Sequence, residues 1–221
     1  IIERYEIAEN KIAVVESACP GYFRALSDEE KQLTKQKYTG SCDFFIYVGA
    51  IHPRKNVLRI IQAFALFRQQ QECPVKLVLV GRKAWMTGNF EEQLASHPYK
   101  EDIIHLQHID KEELLQLVGS AMASLYPSLL EGFGLPILEA QKSHVPVITS
   151  NCSAMPEVAG DAALFADPYQ VNAIPDKMTL LYSDEPLRNT LIQKGSANWQ
   201  RYSWERTAEL LYNCAMTALE R

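Results

Sequence analysis

The sequence predicts an α/β fold: a doubly wound, Rossmann-like parallel sheet of about six strands, finished by C-terminal helices. Three observations carry that expectation. From Asp43 onward, short apolar runs alternate with amphipathic ones. The runs are continuous in Val, Ile, Leu and Phe rather than alternating in polarity, as in strands covered on both faces. The segments between them open with helix start signals, so each strand is followed by a crossover helix, right-handed by rule.

The strand candidates, in order, are Phe44–Val48, Val75–Val80, Ile103–Leu106, Met122–Tyr126, Val145–Thr149 and Ala163–Ala166. Asn56 is placed to cap a helix over Val57–Gln70, where Leu58, Ile61 and Ala65 share a face. Asp110 with Glu113 makes a capping-box pattern before "LLQLV", and Pro136 stands where a first helical turn tolerates proline. Beyond Pro168 the pattern is helical over 170–182, 185–200 and 203–220, the last capped by Ser203. The first forty residues fit this repeat less well. "KIAVVESA" has a strand's composition, and "SDEEKQLTKQKY" a helix's, with a Ser27/Glu30 capping box.

Composition narrows the class. The chain has 221 residues, 47% hydrophobic and 22% charged, as in a globular protein with a proper core. A net charge of −5 gives nucleic acid no electrostatic support. Cys19, Cys42, Cys73, Cys152 and Cys214 are scattered and odd in number, which favours free, mostly buried thiols in a reducing compartment over zinc or disulfides. His105 and His108 fit a strand-end pair better than a metal site. Trp85, Trp199 and Trp204 are expected in packing or at an interface. No transmembrane segment is expected, since no apolar run approaches the ~20 residues that cross a bilayer.

In open parallel sheets, ligands bind beyond the carboxyl ends of the strands. The first strand end carries "VGAIHPRKN", where Gly49 allows a tight turn and Arg54 and Lys55 precede a helix; His52 lies in the same loop. The second carries Arg82 and Lys83, and the fourth "YPSLLEGFG". Cations placed before helix starts are wrong for the helix dipole but right for a bound anion, and a diphosphate would use several at once. In "SLLEGFGLPILEAQ", Gly132 and Gly134 permit close backbone approach, leaving the N–H groups around Phe133–Leu135 for phosphate. A carboxylate would repel that phosphate, so Glu139 suits a ribose diol and Glu131 the sugar side. No Gly-x-Gly-x-x-Gly follows any strand, which removes the dinucleotide oxidoreductases.

"VGAIHPRKN", "LVLVGRKAW", "LYPSLLEGFGLPILEAQ" and "PVITSNCSAMPEVAGDAALFADP" together resemble the C-terminal, donor-binding domain of a retaining glycosyltransferase of the GT-B fold. More narrowly, they are similar to the group 1 family that includes bacterial mannosyl- and rhamnosyltransferases. The likeness runs from about Lys11 to the C-terminus. It implies residues 1–40 as the tail of an N-terminal domain and linker, 41–202 as the donor-binding domain, and 203–221 as a helix packing back on the N-terminal domain.

By the same resemblance, Lys55 and Arg54 meet the donor diphosphate, Glu131 the sugar hydroxyls near the reacting carbon, and Glu139 the ribose. Gly49 and the backbone of Phe133, Gly134 and Leu135 line the phosphates, and the loop at His108 and Ile109 takes the base. The donor is a nucleotide sugar, with GDP-mannose favoured on "PRKN" and the aromatic after "VGRKA"; dTDP-rhamnose or a UDP-sugar is the alternative. No metal and no resident cofactor is implied. The acceptor would be a growing polysaccharide or lipid-linked glycan, held by an N-terminal domain outside this chain. The implied setting is cytoplasmic, at the inner membrane face for the full-length protein. The 221 residues alone are expected to bind nucleotide weakly and transfer no sugar. A non-catalytic nucleotide-sugar-binding module is the other class of reading, and the joint presence of Lys55, Glu131 and Glu139 weighs against it. Two departures stand out: Ala50, where many relatives carry Arg, and Ser143–His144, where many carry Gly before "PVI".

Overall fold

The computed structural model describes residues 2–71, 74–84 and 89–219, with Cys73 and Trp85 outside the described residues. In chain order the elements are α1 (Ile2–Tyr5), α2 (Asp28–Thr39), β1 (Phe44–Val48), α3 (Val57–Gln70), β2 (Lys76–Val80), α4 (Phe90–Ala95), β3 (Ile103–Leu106) and α5 (Lys111–Ser120). There follow β4 (Ala123–Tyr126), α6 (Leu135–Lys142), β5 (Val147–Ser150), α7 (Met155–Ala159), β6 (Leu164–Ala166), α8 (Ala173–Ser183), α9 (Glu185–Asn198) and α10 (Trp204–Leu219). The strands form one sheet in the order β3-β2-β1-β4-β5-β6, and every pairing is parallel.

Both sheet faces are covered, and side chains divide between them by the two-residue period of a strand. Phe45 and Tyr47 of β1, with Leu77 and Leu79 of β2, join the core beneath α3 and α8. Phe44 and Ile46, with Val78 and Val80, join the opposite core, which α5, α6 and α7 close together with Phe23 and Leu26. That double burial explains why the strands are uninterrupted apolar runs. The predicted bounds shift only at their ends: Val75, Met122, Val145, Pro146 and Ala163 precede the ladders they were assigned to.

Several helix starts form as the sequence predicts. The Ser27 hydroxyl accepts from the Glu30 N–H while the Glu30 carboxylate accepts from the Ser27 N–H, closing the capping box of α2. Asp110 accepts from the Glu113 N–H, but the Glu113 carboxylate turns away to Lys37 and the Tyr38 hydroxyl, tying α2 to α5. Ser203 accepts from the Arg206 N–H at the start of α10.

Two expectations are corrected. Asn56 does not cap α3: its backbone is left-handed at φ 60°, and its amide donates to the carbonyls of Pro127 and Pro168 instead. "KIAVVESA" forms no strand. The segment is engaged elsewhere: the Glu16 carbonyl accepts from the Thr207 hydroxyl at 2.7 Å, and the Glu16 carboxylate pairs with Arg206. The segment thus leans on α10, whose own residues are nowhere buried and whose Trp204, Leu211, Tyr212 and Leu219 face outward. Of the described cysteines, all are free but only Cys19 is buried, so the thiols are less buried than expected.

Candidate functional site

The sheet order places the switch point between β1 and β4, where one connection leaves toward β2 and the other toward β5. Loops diverge there and leave a crevice at the carboxyl ends of the strands. The loop after β1 and the loop after β4 form its walls, and hydrogen bonds join them. Leu129 N–H donates to the Arg54 carbonyl at 2.7 Å, and the Arg54 guanidinium donates to the Leu130 carbonyl at 3.1 Å.

Arg54, Lys55 and Glu131 meet in this crevice. The Lys55 ammonium lies 2.5 Å from Glu131 Oε1, as an ion pair rather than an aligned hydrogen bond. Arg54 reaches Oε2 at 3.1 Å. Lys55 also donates to the Tyr126 hydroxyl at 2.8 Å and stands 4.9 Å from that ring's centroid. The side chains of Glu131 and Lys55 are only 7% and 12% exposed, whereas Arg54 is 48% exposed. Ser153 fixes the Glu131 backbone from the β5 side, its hydroxyl accepting from the N–H at 3.0 Å and donating to the carbonyl at 2.9 Å.

The sequence places cations and carboxylate in one site but gives no hint that they neutralise one another. Burial pushes the Glu131 carboxyl upward, yet Lys55, the Ser128 hydroxyl and Arg54 outweigh it and hold the group below the usual carboxylate range. Burial and the Glu131 charge push the Tyr126 phenol well up, so it stays neutral. Tyr126, Ser128 and Ser153 are the site residues that the motif search missed. The signal for Tyr126 was its place as the last residue of the fourth strand.

Glu139 lies one turn inside α6. Burial alone pushes its carboxyl up to about 7, and its charge bears on Cys19 and Tyr22 in the segment before α2. A carboxylate raised by desolvation stabilises poorly without a donor. A vicinal diol would supply two.

The remaining predicted residues take these places. Gly49 ends β1 at φ 152°, its N–H donating to the Val80 carbonyl, so that N–H is already used. Gly134 has φ 121° and caps α6, its carbonyl accepting from Ile137. Leu135 is the first helical residue, and the Phe133 ring meets Tyr202 edge-on at 5.5 Å. His108 is exposed in the loop after β3 and Ile109 packs on the core, both two strands from β1 at the same end of the sheet. His52 accepts from the Arg54 N–H, bracing the cationic loop. Arg82 and Lys83 are exposed after β2, and Lys83 pairs with Glu91. His105 bonds the Gly81 carbonyl at 3.0 Å, a strand-end role. Among the described residues, no three His, Cys, Asp or Glu side chains gather to hold a metal ion.

The model for "Glycosyl transferases group 1" matches residues 28–198, most of the chain. The chain belongs to the glycosyl transferases group 1 family. It is 34% identical over 207 residues to "O-antigen chain mannosyltransferase B" of Escherichia coli, covering 93% of this chain and 54% of that one. Among solved structures it is similar to the C-terminal domain of a glycosyl transferase group 1 family protein from Francisella tularensis. There the TM-score is 0.71 at 25% identity, over 81% of this chain and 94% of that one. It also shares its fold with Anabaena Alr3699/HepE, solved in complex with UDP-glucose, at a TM-score of 0.74 and 17% identity over 89% of this chain and 54% of that one. The chain therefore spans about half the length of the first curated relative it matches. In this group 1 domain no helix among the described residues is long and apolar enough to cross a membrane.

Proposed function

We propose that the chain is the donor-binding half of a retaining hexosyltransferase that takes mannose from GDP-mannose and passes it to a growing polysaccharide or lipid-linked glycan. The observation that carries this reading is the joint presence of Lys55, Arg54 and Glu131 at the switch point, with Glu131 in the loop that leads into α6. The arriving diphosphate replaces Glu131 as the partner of the two cations. As the bond to the sugar breaks, Lys55, Arg54 and the N–H groups at the α6 start stabilise the charge that develops on the leaving diphosphate. Glu131, released, accepts hydrogen bonds from the sugar hydroxyls. Glu139 takes the ribose diol, and the loop at His108 and Ile109 takes the base.

The likeness to a mannosyltransferase supports mannose as the sugar. The UDP-glucose complex of a fold relative supports a nucleotide sugar in general and keeps a UDP-sugar, with dTDP-rhamnose, as the alternative donor. Acceptor binding and closure belong in this reading to a preceding domain, against which the outward apolar face of α10 packs. Titration calorimetry with GDP, UDP and dTDP tests the donor assignment. GDP is expected to bind tightest; preference for another base moves the donor, and binding of none of the three overturns the reading.

A further inference from the structure

Lys55 has two partners of different character. Glu131 is charged and sits on a loop; Tyr126 is neutral and ends a central strand. Tyr126 is 2% exposed, so water barely competes for its hydroxyl. Its carbonyl accepts from the buried Thr149 hydroxyl at 2.8 Å, which ties the strand end to β5. Its ring also lies close to Gly134, the cap residue of α6. The phenol is thus fixed from two sides, whereas the Glu131 loop is held through Ser153 and the cations.

Glu131 and an arriving diphosphate are two anions that compete for the same ammonium. When a diphosphate arrives, the carboxylate has to turn away from the cations. A neutral phenol does not repel a phosphate, so Tyr126 can keep its bond to Lys55 in both states. A lysine side chain has several rotatable bonds, and freedom in them is lost on binding unless a partner has already fixed it. We propose that Tyr126 is the positioning residue that keeps the Lys55 ammonium aimed at the donor diphosphate after Glu131 lets go. This rests on the nucleotide-sugar reading of the site.

The test is calorimetric titration of the full chain with the nucleoside diphosphate that wild type binds among GDP, UDP and dTDP, and with the matching monophosphate. The proteins are wild type, Tyr126→Phe, Lys55→Met and the double variant. Phenylalanine fills the same space and keeps the ring beside the ammonium. Tyr126→Phe is expected to weaken the diphosphate about ten-fold, the size of one hydrogen bond to a charged group, while the monophosphate changes less than about two-fold. In the Lys55→Met background the same change is expected to cost less than about two-fold, because the positioned group is gone.

A purely structural role for the phenol would weaken both nucleotides alike and persist without Lys55; either result overturns the proposal. Unchanged diphosphate affinity in Tyr126→Phe also overturns it, and leaves the nucleotide reading standing. Wild type that binds none of the three diphosphates removes the reading itself.

Discussion

Lys55 and Glu131 form a nearly buried ion pair, ammonium to carboxylate at 2.5 Å, and Arg54 adds a second contact to the same carboxylate. The group proposed to hold the sugar therefore occupies the groups proposed to hold the phosphates. Glu131→Gln removes the competitor and leaves two cations unneutralised. Bare GDP is expected to bind the variant several-fold tighter than wild type, on the scale of one charge-assisted contact. Where the proposed acceptor domain is present, the same change is expected to lower turnover, because the proposed contact to the sugar is lost. Titration and steady-state kinetics check the two halves; weaker GDP binding by Glu131→Gln would sink the competition.

The alternation of strand and helix was legible because double burial writes a continuous apolar run into each strand, as in Phe44–Val48. The site loops were legible because cations before helix starts and glycines at strand ends have few structural uses. What escaped was long-range. Asn56 has a cap's composition, and only the positions of Pro127 and Pro168 turn its amide elsewhere. Tyr126 reads in the sequence only as a strand end, and its contact with Lys55 depends on β4 lying beside β1. The "KIAVVESA" segment has strand composition, but its Glu16 is tied to Thr207 and Arg206 of α10 rather than to a neighbouring strand.

The ribose contact proposed for Glu139 would make binding depend on pH. An acid whose pKa rises from the ordinary value of about 4.3 to about 7 in the fold binds more protons folded than unfolded between those limits. Stability therefore falls as pH rises from about 4.5 to about 7 and is level above. Cys19 and Tyr22, the groups its charge reaches, stay protonated across that window, the thiol pushed up to about 12 by burial and by Glu139 itself. A ribose diol donates to the ionised carboxylate, so nucleotide affinity is expected to climb between pH 6 and pH 8. Glu139→Gln is expected to flatten both slopes and weaken nucleotide about ten-fold at pH 8. Equal affinity in wild type and variant at pH 8 counts against the ribose assignment.

Gly81 marks a place where two strand ends lie in close backbone contact. A Cβ there would stand 1.9 Å from the Gly49 carbonyl oxygen, and its φ of 150° already disfavours a side chain. The obstacle is backbone at the foot of the cationic loop. Gly81→Ala is expected to cost more than about 4 kcal/mol, the range of severe overpacking and backbone strain together. Urea denaturation measures it, and a loss below about 1 kcal/mol would show that the two turns relax freely.

His144, in the Ser143–His144 turn before β5, has a backbone that suits glycine better than a side chain. Its φ is 58°, in the left-handed region, and the side chain is exposed. Left-handed geometry costs an ordinary residue about 1–2 kcal/mol, less for histidine. Glycine removes that strain, but its freer unfolded chain returns about 0.4–1 kcal/mol. His144→Gly is therefore expected to stabilise by about 0.5 kcal/mol, or roughly 1–2 °C in melting temperature for a chain of this size. His144→Ala retains the strained backbone and is expected to gain nothing, which separates relief of strain from loss of the imidazole. A melting temperature raised equally by both substitutions would assign the effect to the side chain.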